Sequence, residues 1–245
     1  MRYLIGIDDT DNPDSRGTGF RARQLSGRLA EAGLAVARGI TRHQLLVHPD
    51  IPYTSHNSSA CLDVELTGGD FEALAGFCRD YLTAESAPGS DAGLCIAAFD
   101  AVTEPAVQFG RSAKQVVLNR EAARELAARA GLHLEGVTGD HMGMIGALSA
   151  VGLRRSGHDG RFIWLKGVRE LSGTASAAQL LETTGIDAVE TVDGSPVPQE
   201  AAVCVDPWPR PVLLNDRAIL LAQKKRDSDA GNEWELLSKE AIRRY

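Results

Sequence analysis

The sequence predicts an α+β fold, that is, a mixed α/β arrangement of layered helices and strands. Its 245 residues are enough for one large domain or two modest ones. Hydrophobic residues make up 43% of the chain and charged residues 24%, close to the averages of globular proteins, which excludes a disordered or fibrous protein. Apolar runs typical of strands alternate along the chain with amphipathic stretches typical of helices.

The first hundred residues begin with a predicted buried strand. The apolar run from Tyr3 to Ile7 ends at Asp8, as a buried strand that leads into a loop would. The loop from Asp8 to Gly19 is rich in Asp, Asn, Pro, Ser and Gly. The patterns that follow predict a helix over 20–32, strands over 34–41, 44–48 and 61–66, a helix over 71–82 and a strand over 94–99.

The rest of the chain contains two further helices and a glycine-rich segment before a change of pattern. Helices are predicted over 106–117 and 121–130, the second with Asn119 as N-cap and Gly131 at its end. The glycine-rich stretch 136–143 leads into a helix of small residues over 144–152. After it the sequence predicts a strand over 162–165, a helix over 175–181, strands over 188–192, 202–205 and 212–221, and a charged tail with a surface helix over 233–243.

A domain boundary is predicted near residue 165. The small-residue helix ends one unit there, and a short βαββ unit begins. The sequence therefore predicts a first domain over 1–165 and a smaller second domain over 166–245, which includes the charged tail.

The charge of the chain limits the partners that it can have. The net charge is −7 and the isoelectric point is about 5.4, which argues against a surface built mainly for nucleic acid but allows a local basic groove. The sequence has no apolar run of the roughly 20 residues that cross a bilayer. Asp8 and Asp9 come too soon for a signal peptide, so we expect a cytoplasmic protein without membrane contact.

The four cysteines do not predict a metal site. They lie far apart and form no C-x-x-C pair, whereas a structural zinc site needs close pairs. Cys61, Cys78 and Cys95 lie in apolar surroundings, and we expect them to be buried free thiols.

The densest chemical signal is the acidic segment after the first strand, Asp8-Asp9-Thr10-Asp11. An unpaired buried carboxylate costs several kcal/mol, so these side chains do not belong to an apolar core. At the end of a strand they would lie in the crevice where α/β proteins bind ligands. Asp8, Asp9 and Asp11 together suit Mg²⁺, which keeps waters and bridges phosphate oxygens. An Asx-rich turn with solvated acids explains the same spacing equally well.

A possible phosphate-binding loop follows at Arg16-Gly17-Thr18-Gly19, directly before the first helix. Glycines let backbone N–H groups approach an anion, the helix N-terminus adds partial positive charge, and Arg16 can complete a phosphate clamp. The Gly-Lys-Ser/Thr of a Walker A loop is absent. The alternative is an ordinary loop with Thr18 as a capping residue.

A second glycine-rich loop precedes the helix over 144–152. Gly143 and Gly146 lie at its beginning, and two anion-accepting helix ends suit a nucleoside triphosphate better than a single phosphate. Close packing of the helix also explains its small residues. The polar loop over 49–59 offers many hydroxyl and amide donors to a ligand. The histidines His43, His48 and His56 lack the spacing of metal ligands, and we expect them to be surface or supporting residues.

These segments, in this order, resemble the isoleucine-tRNA 2-agmatinylcytidine synthetase family, TiaS. The N-terminal Gly6-Ile7-Asp8-Asp9-Thr10-Asp11 is similar to the opening motif of the family. Further similar segments are Asp50-Ile51-Pro52-Tyr53, Ala87-Pro88-Gly89, the helix that runs from Gly143 to Gly152, and the segment that runs from Asp206 to Leu213. The likeness spans residues 3 to about 221.

The resemblance implies a kinase-like ATP-binding domain followed by a ferredoxin-like domain. The family cleaves ATP to AMP and pyrophosphate, phosphorylates the wobble cytidine of a tRNA, and lets agmatine displace that phosphate. Carried over to this chain, the resemblance implies that Asp8, Asp9 and Asp11 hold Mg²⁺ and the phosphates, and these three are the expected catalytic residues. By its chemistry, Asp9 or Asp11 can instead serve as base for an acceptor hydroxyl. The expected nucleotide-binding residues are Thr10, Arg16, Gly17, Thr18, Gly19, Gly143 and Gly146.

The sequence also departs from the family. It stops before the OB-fold and zinc ribbon with which the family grips tRNA, and Gly17-Thr18-Gly19-Phe20-Arg21 replaces the segment that holds an autophosphorylated threonine. We therefore expect a Mg²⁺-dependent ATP-using kinase or ligase that acts on a small molecule. Two alternatives stay open: an RNA-modifying enzyme that needs a partner chain to grip tRNA, and a non-catalytic nucleotide-binding protein.

Overall fold

The computed structural model describes residues 1–51, 56–206, 208–225 and 233–245. The chain forms two compact units, Met1–Ser156 and Gly157–Tyr245. Both units combine helices with mostly antiparallel sheet, so the predicted mixed α/β class is confirmed.

The first unit is built on five antiparallel strands in the order β5-β4-β1-β3-β2. The central strand β1 is almost fully buried, and its Gly6 pairs with Cys61 on one side and Cys95 on the other. The strands are β1 (Arg2–Asp8), β2 (Ala35–Gln44), β3 (Ser58–Leu66), β4 (Gly93–Ala98) and β5 (His133–Gly136).

Five helices cover the two faces of this sheet: α1 (Thr18–Glu31), α2 (Phe71–Glu85), α3 (Glu104–Ser112), α4 (Arg120–Ala130) and α5 (Gly143–Arg155). Leu4, Cys61 and Cys95 form one core with side chains of α3, α4 and α5. Because side chains alternate along a strand, Ile5 and Ile7 point to the opposite face, which α1 and α2 cover.

Local sequence explains where two of these helices begin. The Asp70 carboxylate accepts a hydrogen bond from the Ala73 amide at the start of α2. Asn119 caps α4 in the same way, and Gly131 ends that helix with a left-handed backbone, as the sequence predicts.

The small residues of α5 serve close packing. A Cβ on Gly6 of β1 would overlap the Ala147 carbonyl of α5, and a Cβ on Gly93 of β4 would overlap the Gly143 backbone. On the other side of the helix, a Cβ on Gly152 would overlap the Ala106 carbonyl of α3. Helix α5 therefore lies against β1, β4 and α3 at backbone distance, and close packing explains its glycines.

The second unit has its own sheet and its own core. Strand β11 pairs with β10, β12 and β8, and β12 continues the sheet through β9 to β7. Apolar residues of these strands and of α6 form the core, in which Leu180, Val203 and Leu213 are fully buried. The elements are β6 (Arg161–Trp164), β7 (Thr174–Ser176), α6 (Ala177–Thr183), β8 (Ala188–Glu190), β9 (Ala202–Cys204), β10 (Val212–Leu214), β11 (Arg217–Lys224) and β12 (Glu233–Leu236).

The structure corrects two of the predicted elements in the second unit. The segment 233–243 is not a surface helix: it begins as strand β12, because the Trp234 side chain is buried in the core and the backbone pairs with β9 and β11. The predicted strand over 212–221 is a hairpin. Its turn residues Asn215 and Asp216 both have positive φ, which reverses the chain between β10 and β11.

Two predicted elements of the first unit, both within the described residues, differ in the structure: one strand is absent and one helix is shorter. The segment 44–48 is not a separate strand, since β2 continues to Gln44 and the next two amides bond to loop carbonyls, Leu45 to Asn57 and Leu46 to Ala113. Helix α3 ends at Ser112 rather than at residue 117.

A few positions singled out in the sequence lie outside the described residues. They are Pro52 and Tyr53 in the polar loop, Pro207 in the segment from Asp206 to Leu213, and residues 226–232 of the charged tail.

Two other expectations can be compared with the structure. Cys61, Cys78 and Cys95 are buried free thiols, as predicted, and Cys204 is a free, partly buried thiol. Within the described ranges, no helix has both the length and the apolar character that crossing a bilayer requires.

The contact at Gly6 predicts a large loss of stability on substitution. Gly6→Ala forces a methyl group into the Ala147 carbonyl, and we expect it to lower the free energy of unfolding by about 1–3 kcal/mol or more. Gly76→Ala is the matched control: the added Cβ would meet nothing within 4 Å, and alanine favours helix α2 by about 0.5–1 kcal/mol. Urea denaturation measures both variants, and an unchanged midpoint for Gly6→Ala would contradict the close packing.

Candidate functional site

Four polar loops meet at one end of the first sheet, where its strands begin and end. In an antiparallel sheet, a strand that finishes at this end lies beside a strand that starts there. Strands β1, β2 and β5 end where β3 and β4 begin, as the pairs Asp8–Gly93 and Gln44–Ser58 show. The described parts of the four loops are 9–17, 45–51 with 56–57, 86–92 and 137–142. The strand-end site predicted from the sequence therefore lies at one end of this sheet, where antiparallel pairing brings the loops together.

Three of these loops, all but 86–92, line a cleft together with residues of the segment 113–118 and the start of α5. The cleft has about 800 Å³ of empty space, part of it open to solvent. One group of lining residues is polar, and half of its members are acidic: Asp8, Asp9, Asp11, Thr18, Asp50, His56, Asn57 and Ser58. The other group is apolar apart from the helix glycines: Leu45, Ile51, Ala113, Val116, Val117, Leu118, Met142, Gly143, Ile145 and Gly146.

Asp8 lies where the carboxyl end of β1 meets α5. Its carboxylate lies directly against Gly146, where a Cβ would overlap it. Burial raises the pKa of Asp8 to about 8, and the charge of Asp9 adds to the effect. The pKa of Asp9 is raised to about 6, first by burial and then by the charges of Asp91 and Asp11. Both carboxylates are thus held in the cleft at an electrostatic cost.

Asp11 has a structural contact as well as a place in the cleft. Its Oδ1 accepts hydrogen bonds from the Thr18 amide (3.1 Å) and the Thr18 hydroxyl (2.9 Å). The carboxylate therefore caps α1 and occupies the position at the helix N-terminus that a phosphate would take. Thr10 is buried behind it, with its hydroxyl 3.1 Å from the Thr18 hydroxyl.

The expected phosphate loop is only partly in the cleft. Thr18 lines it, but Arg16, Gly17 and Gly19 are not among the lining residues. The Arg16 guanidinium lies over the Phe20 ring, 4.5 Å from its centroid. In this structure the protein's own Asp11 fills the anion-binding position of this loop.

The first amides of α5 are also used within the protein. The Gly143 amide donates to the Asp91 carbonyl (2.9 Å) and the Met144 amide to the His141 carbonyl (3.3 Å). Gly143 and Gly146 line the cleft. At this end of α5, the helix dipole is available to an anion but these two amides are not.

The acidic group fits a magnesium ion by its chemistry. Among the described side chains, no three His, Cys, Asp or Glu residues are arranged to hold a metal ion by themselves. Mg²⁺ does not need such a cage, because it binds one or two carboxylates and completes its shell with water and substrate phosphate. The raised pKa values of Asp8 and Asp9 reflect desolvation and mutual repulsion, and a bound cation offsets both.

Several residues of the cleft and its border were not predicted from the sequence. Asp91 contributes to the raised pKa of Asp9 and accepts a hydrogen bond from the Asp140 amide (2.6 Å). Arg42 lies near Asp11 and bonds Ser58. The apolar group that includes residues 116 and 117 carries no motif. Antiparallel strand pairing, had it been predicted, would have placed Asp91 near the end of β1, but no local signal marks the other residues.

The raised pKa of Asp8 predicts a pH-dependent gain of stability for Asp8→Asn in metal-free buffer. A carboxyl whose pKa rises on folding stabilises the fold below its unfolded value, near 3.8, and loses that contribution as the pH rises through about 8. We therefore expect the Tm advantage of Asp8→Asn over the unsubstituted protein to be smallest near pH 4 and to grow as the pH rises to about 8. Thermal denaturation in EDTA measures the difference, and a constant Tm difference across this range would contradict the burial of a charged Asp8.

Comparisons with known proteins identify the fold. No protein-family model and no curated protein matches the sequence. Among solved structures, the chain is similar to a complex of TiaS with its tRNA and ATP and to a tRNA fluorescent labeling enzyme, each with 25% identity and a TM-score of 0.54, covering 62% of this chain and 36% of that one. Apo TiaS, a tRNA agmatidine synthetase, gives 24% identity and a TM-score of 0.53, with 62% and 35% covered.

The chain thus spans about a third of the length of the structures that it matches. Over 62% of its own length it has a TiaS-like fold, as the N-terminal motif and the α5 segment predict.

Proposed function

We propose that the cleft binds Mg²⁺ and ATP and that the chain is an ATP-using enzyme, a kinase or an ATP-cleaving ligase. The observation that carries this proposal is the placement of Asp8 and Asp9 in a cleft of a chain whose fold is similar to that of TiaS bound to tRNA and ATP. Buried carboxylates with raised pKa values are uncommon outside functional sites, which supports a role for both.

The carboxylates have separate roles in this proposal. Asp8, Asp9 and Asp11 hold the metal, and bound Mg²⁺ neutralises charge on the phosphates. Asp11 lines the cleft while its Oδ1 accepts two hydrogen bonds from Thr18. In the alternative role, as base instead of metal ligand, Asp9 is suited by its raised pKa. With a pKa of about 6 it is ionised in much of the population at neutral pH and can accept a proton from an acceptor group.

The apolar lining of the cleft suits a nucleoside. Val116 and Val117 are 52% and 46% exposed, unusual values for aliphatic side chains beside a cleft. Their surface, together with Leu118, offers contact area to a base while the acidic group holds the phosphates. A ligand that is apolar at one end and a polyphosphate at the other fits both groups of lining residues.

The domain assignment is part of this proposal. We infer that residues 1–165 form the kinase-like ATP-binding domain and residues 166–245 the ferredoxin-like domain. The two compact units of the chain and the mixed α/β fold of each support such a division. The expected nucleotide-binding residues belong to the first of these domains: Thr10, Arg16, Gly17, Thr18, Gly19, Gly143 and Gly146.

We propose that the acceptor is a small molecule. We also propose that the enzyme is cytoplasmic. The acidic lining of the cleft and the net charge of −7 favour a compact ligand over a large polyanion. An RNA substrate held with the help of a partner chain is the second candidate, because one similar structure is a tRNA complex and another is a tRNA labeling enzyme. A protein that binds ATP without consuming it is the third.

Magnesium-dependent nucleotide binding tests the proposal. At a ligand concentration about 100 times Kd, binding adds about 2.7 kcal/mol to the free energy of unfolding, a shift of several degrees in Tm. We expect ATP to raise the Tm in the presence of Mg²⁺ and not in EDTA, and Asp8→Ala to abolish the shift.

Asp14→Asn is the control for this experiment. Asp14 lies exposed in the same acidic loop, so the variant changes one carboxylate without touching the cleft. No shift in the unsubstituted protein at millimolar Mg·ATP, or an equal loss in the two variants, would refute the proposed site. ATP that is bound but never consumed in a substrate screen would select the non-catalytic candidate.

RNA binding separates the first two candidates. If the substrate is small, we expect no tRNA binding by this chain at about 50 mM salt, where phosphate contacts are strongest. Fluorescence anisotropy with labelled tRNA over a salt series measures this. Binding that weakens steeply with salt would favour the RNA-modifying candidate.

A further inference from the structure

Arg42 lies at the edge of the cleft, and no sequence motif marks it. It is close to the end of β2, and its Nε donates a hydrogen bond to the Ser58 hydroxyl (2.8 Å). Ser58 is the first residue of β3 and lines the cleft. The charge of Asp11, another lining residue, acts on the guanidinium. Two residues of the cleft thus border Arg42.

The charge of Arg42 is compensated less well than the charges of Arg2, Arg21 and Arg154. Arg2 and Arg154 both pair with the Asp63 carboxylate, at 2.7 and 2.6 Å, and Arg21 pairs with a glutamate of α2 at 2.8 Å. Arg42 is also partly buried, but among the described side chains it forms no ion pair within 4 Å. Burial lowers its pKa, and the attraction of Asp11 is the smaller, opposing effect.

The remaining N–H groups of this side chain are suited to a phosphate. Ser58 uses Nε, and the two terminal nitrogens have no hydrogen-bond partner among the described residues. A guanidinium presents these N–H groups as a planar fork that matches two phosphate oxygens. The hydrogen bond to Ser58 fixes one edge of the fork, so the side chain loses less entropy when a phosphate binds.

We propose that Arg42 binds phosphate oxygens of the substrate in the cleft. The inference rests on the proposed function, and it adds a direct cationic contact to the one that magnesium provides. It also gives the acidic cleft a way to hold a polyphosphate: the metal neutralises the side that faces Asp8 and Asp9, and Arg42 contacts the side that faces Asp11 and Ser58. The phosphates are those of ATP or one carried by the acceptor.

Substitution of Arg42 by methionine, which keeps the length and apolar volume of the side chain, tests the contact. Isothermal titration with Mg·ATP, magnesium tripolyphosphate and adenosine gives three dissociation constants. A charge-assisted bidentate contact predicts a loss of roughly 10- to 100-fold in affinity for ATP and tripolyphosphate alike and no change for adenosine. Arg42→Lys, which keeps the charge but not the fork, should lose less affinity than Arg42→Met.

The control is Arg28→Met, which removes an exposed arginine of α1 that pairs with the surface residue Glu31. It should leave all three constants unchanged. The Tm of ligand-free Arg42→Met should equal or exceed that of the unsubstituted protein, because a poorly compensated buried charge is removed. A merely structural Arg42 would instead lower the Tm and weaken all three ligands.

A further measurement distinguishes the source of the phosphate. If Arg42→Met leaves ATP and tripolyphosphate binding unchanged but abolishes the binding of inorganic phosphate to the ATP-saturated protein, Arg42 contacts a phosphate of the acceptor. If none of these constants changes, or if ATP binding alone weakens while tripolyphosphate binding does not, the inference is wrong. If the unsubstituted protein binds neither ATP nor tripolyphosphate at millimolar concentration, the proposed function itself fails.

Discussion

The close contact between α5 and the central strands is the constraint on which the candidate site depends. Glycines at positions 6 and 93 let the helix approach the backbones of β1 and β4, and Gly146 leaves room for the Asp8 carboxylate. The same contact places the N-terminus of α5 beside the end of β1. Any side chain at these positions would push the helix away and open the acidic end of the cleft. The same glycine contacts therefore determine both the packing of α5 in the core and the position of Asp8 in the site.

The ionised carboxylates of Asp8 and Asp9 destabilise the folded state, so the stability of the fold does not explain their presence. Burial is the largest cause of the raised pKa values of Asp8 and Asp9. The charges of Asp9 and Asp11 add to the effect on Asp8, and those of Asp91 and Asp11 add to the effect on Asp9. The buried carboxylate of Asp63, elsewhere in the first unit, has a different environment: it pairs with three arginines, Arg2, Arg38 and Arg154. The contrast fits the proposed binding of a cation by the acids of the cleft. Mutually repelling carboxylates in a cleft are typical of sites that exchange stability for binding.

Much of the site could be predicted from local sequence, and some of it could not. The acidic motif after β1, the cap of α4 and the glycines of α5 are local features whose physics acts within a few residues. Asp91 and Arg42 come near the acidic residues of the cleft only through strand pairing, which joins segments about thirty or more residues from the acidic motif. The double role of Asp11, as a cleft residue and as the cap of α1, depends on the path of the loop that leads to Thr18, which composition does not define.

The sequence by itself determined the mixed α/β class, the buried thiols and the similarity to TiaS, because periodicity, composition and contiguous motifs are properties of neighbouring residues. Only the tertiary structure decided that the sheet is antiparallel in the first unit, that the segment beginning at Glu233 is a strand rather than a helix, and that the anion-binding end of α1 is filled by Asp11. These features depend on burial and on partners distant in the chain. The segment around Trp234 is a strand because the Trp234 side chain is buried in the core of the second unit. The other residues of that core are distant in the sequence, so no local pattern predicts the contact.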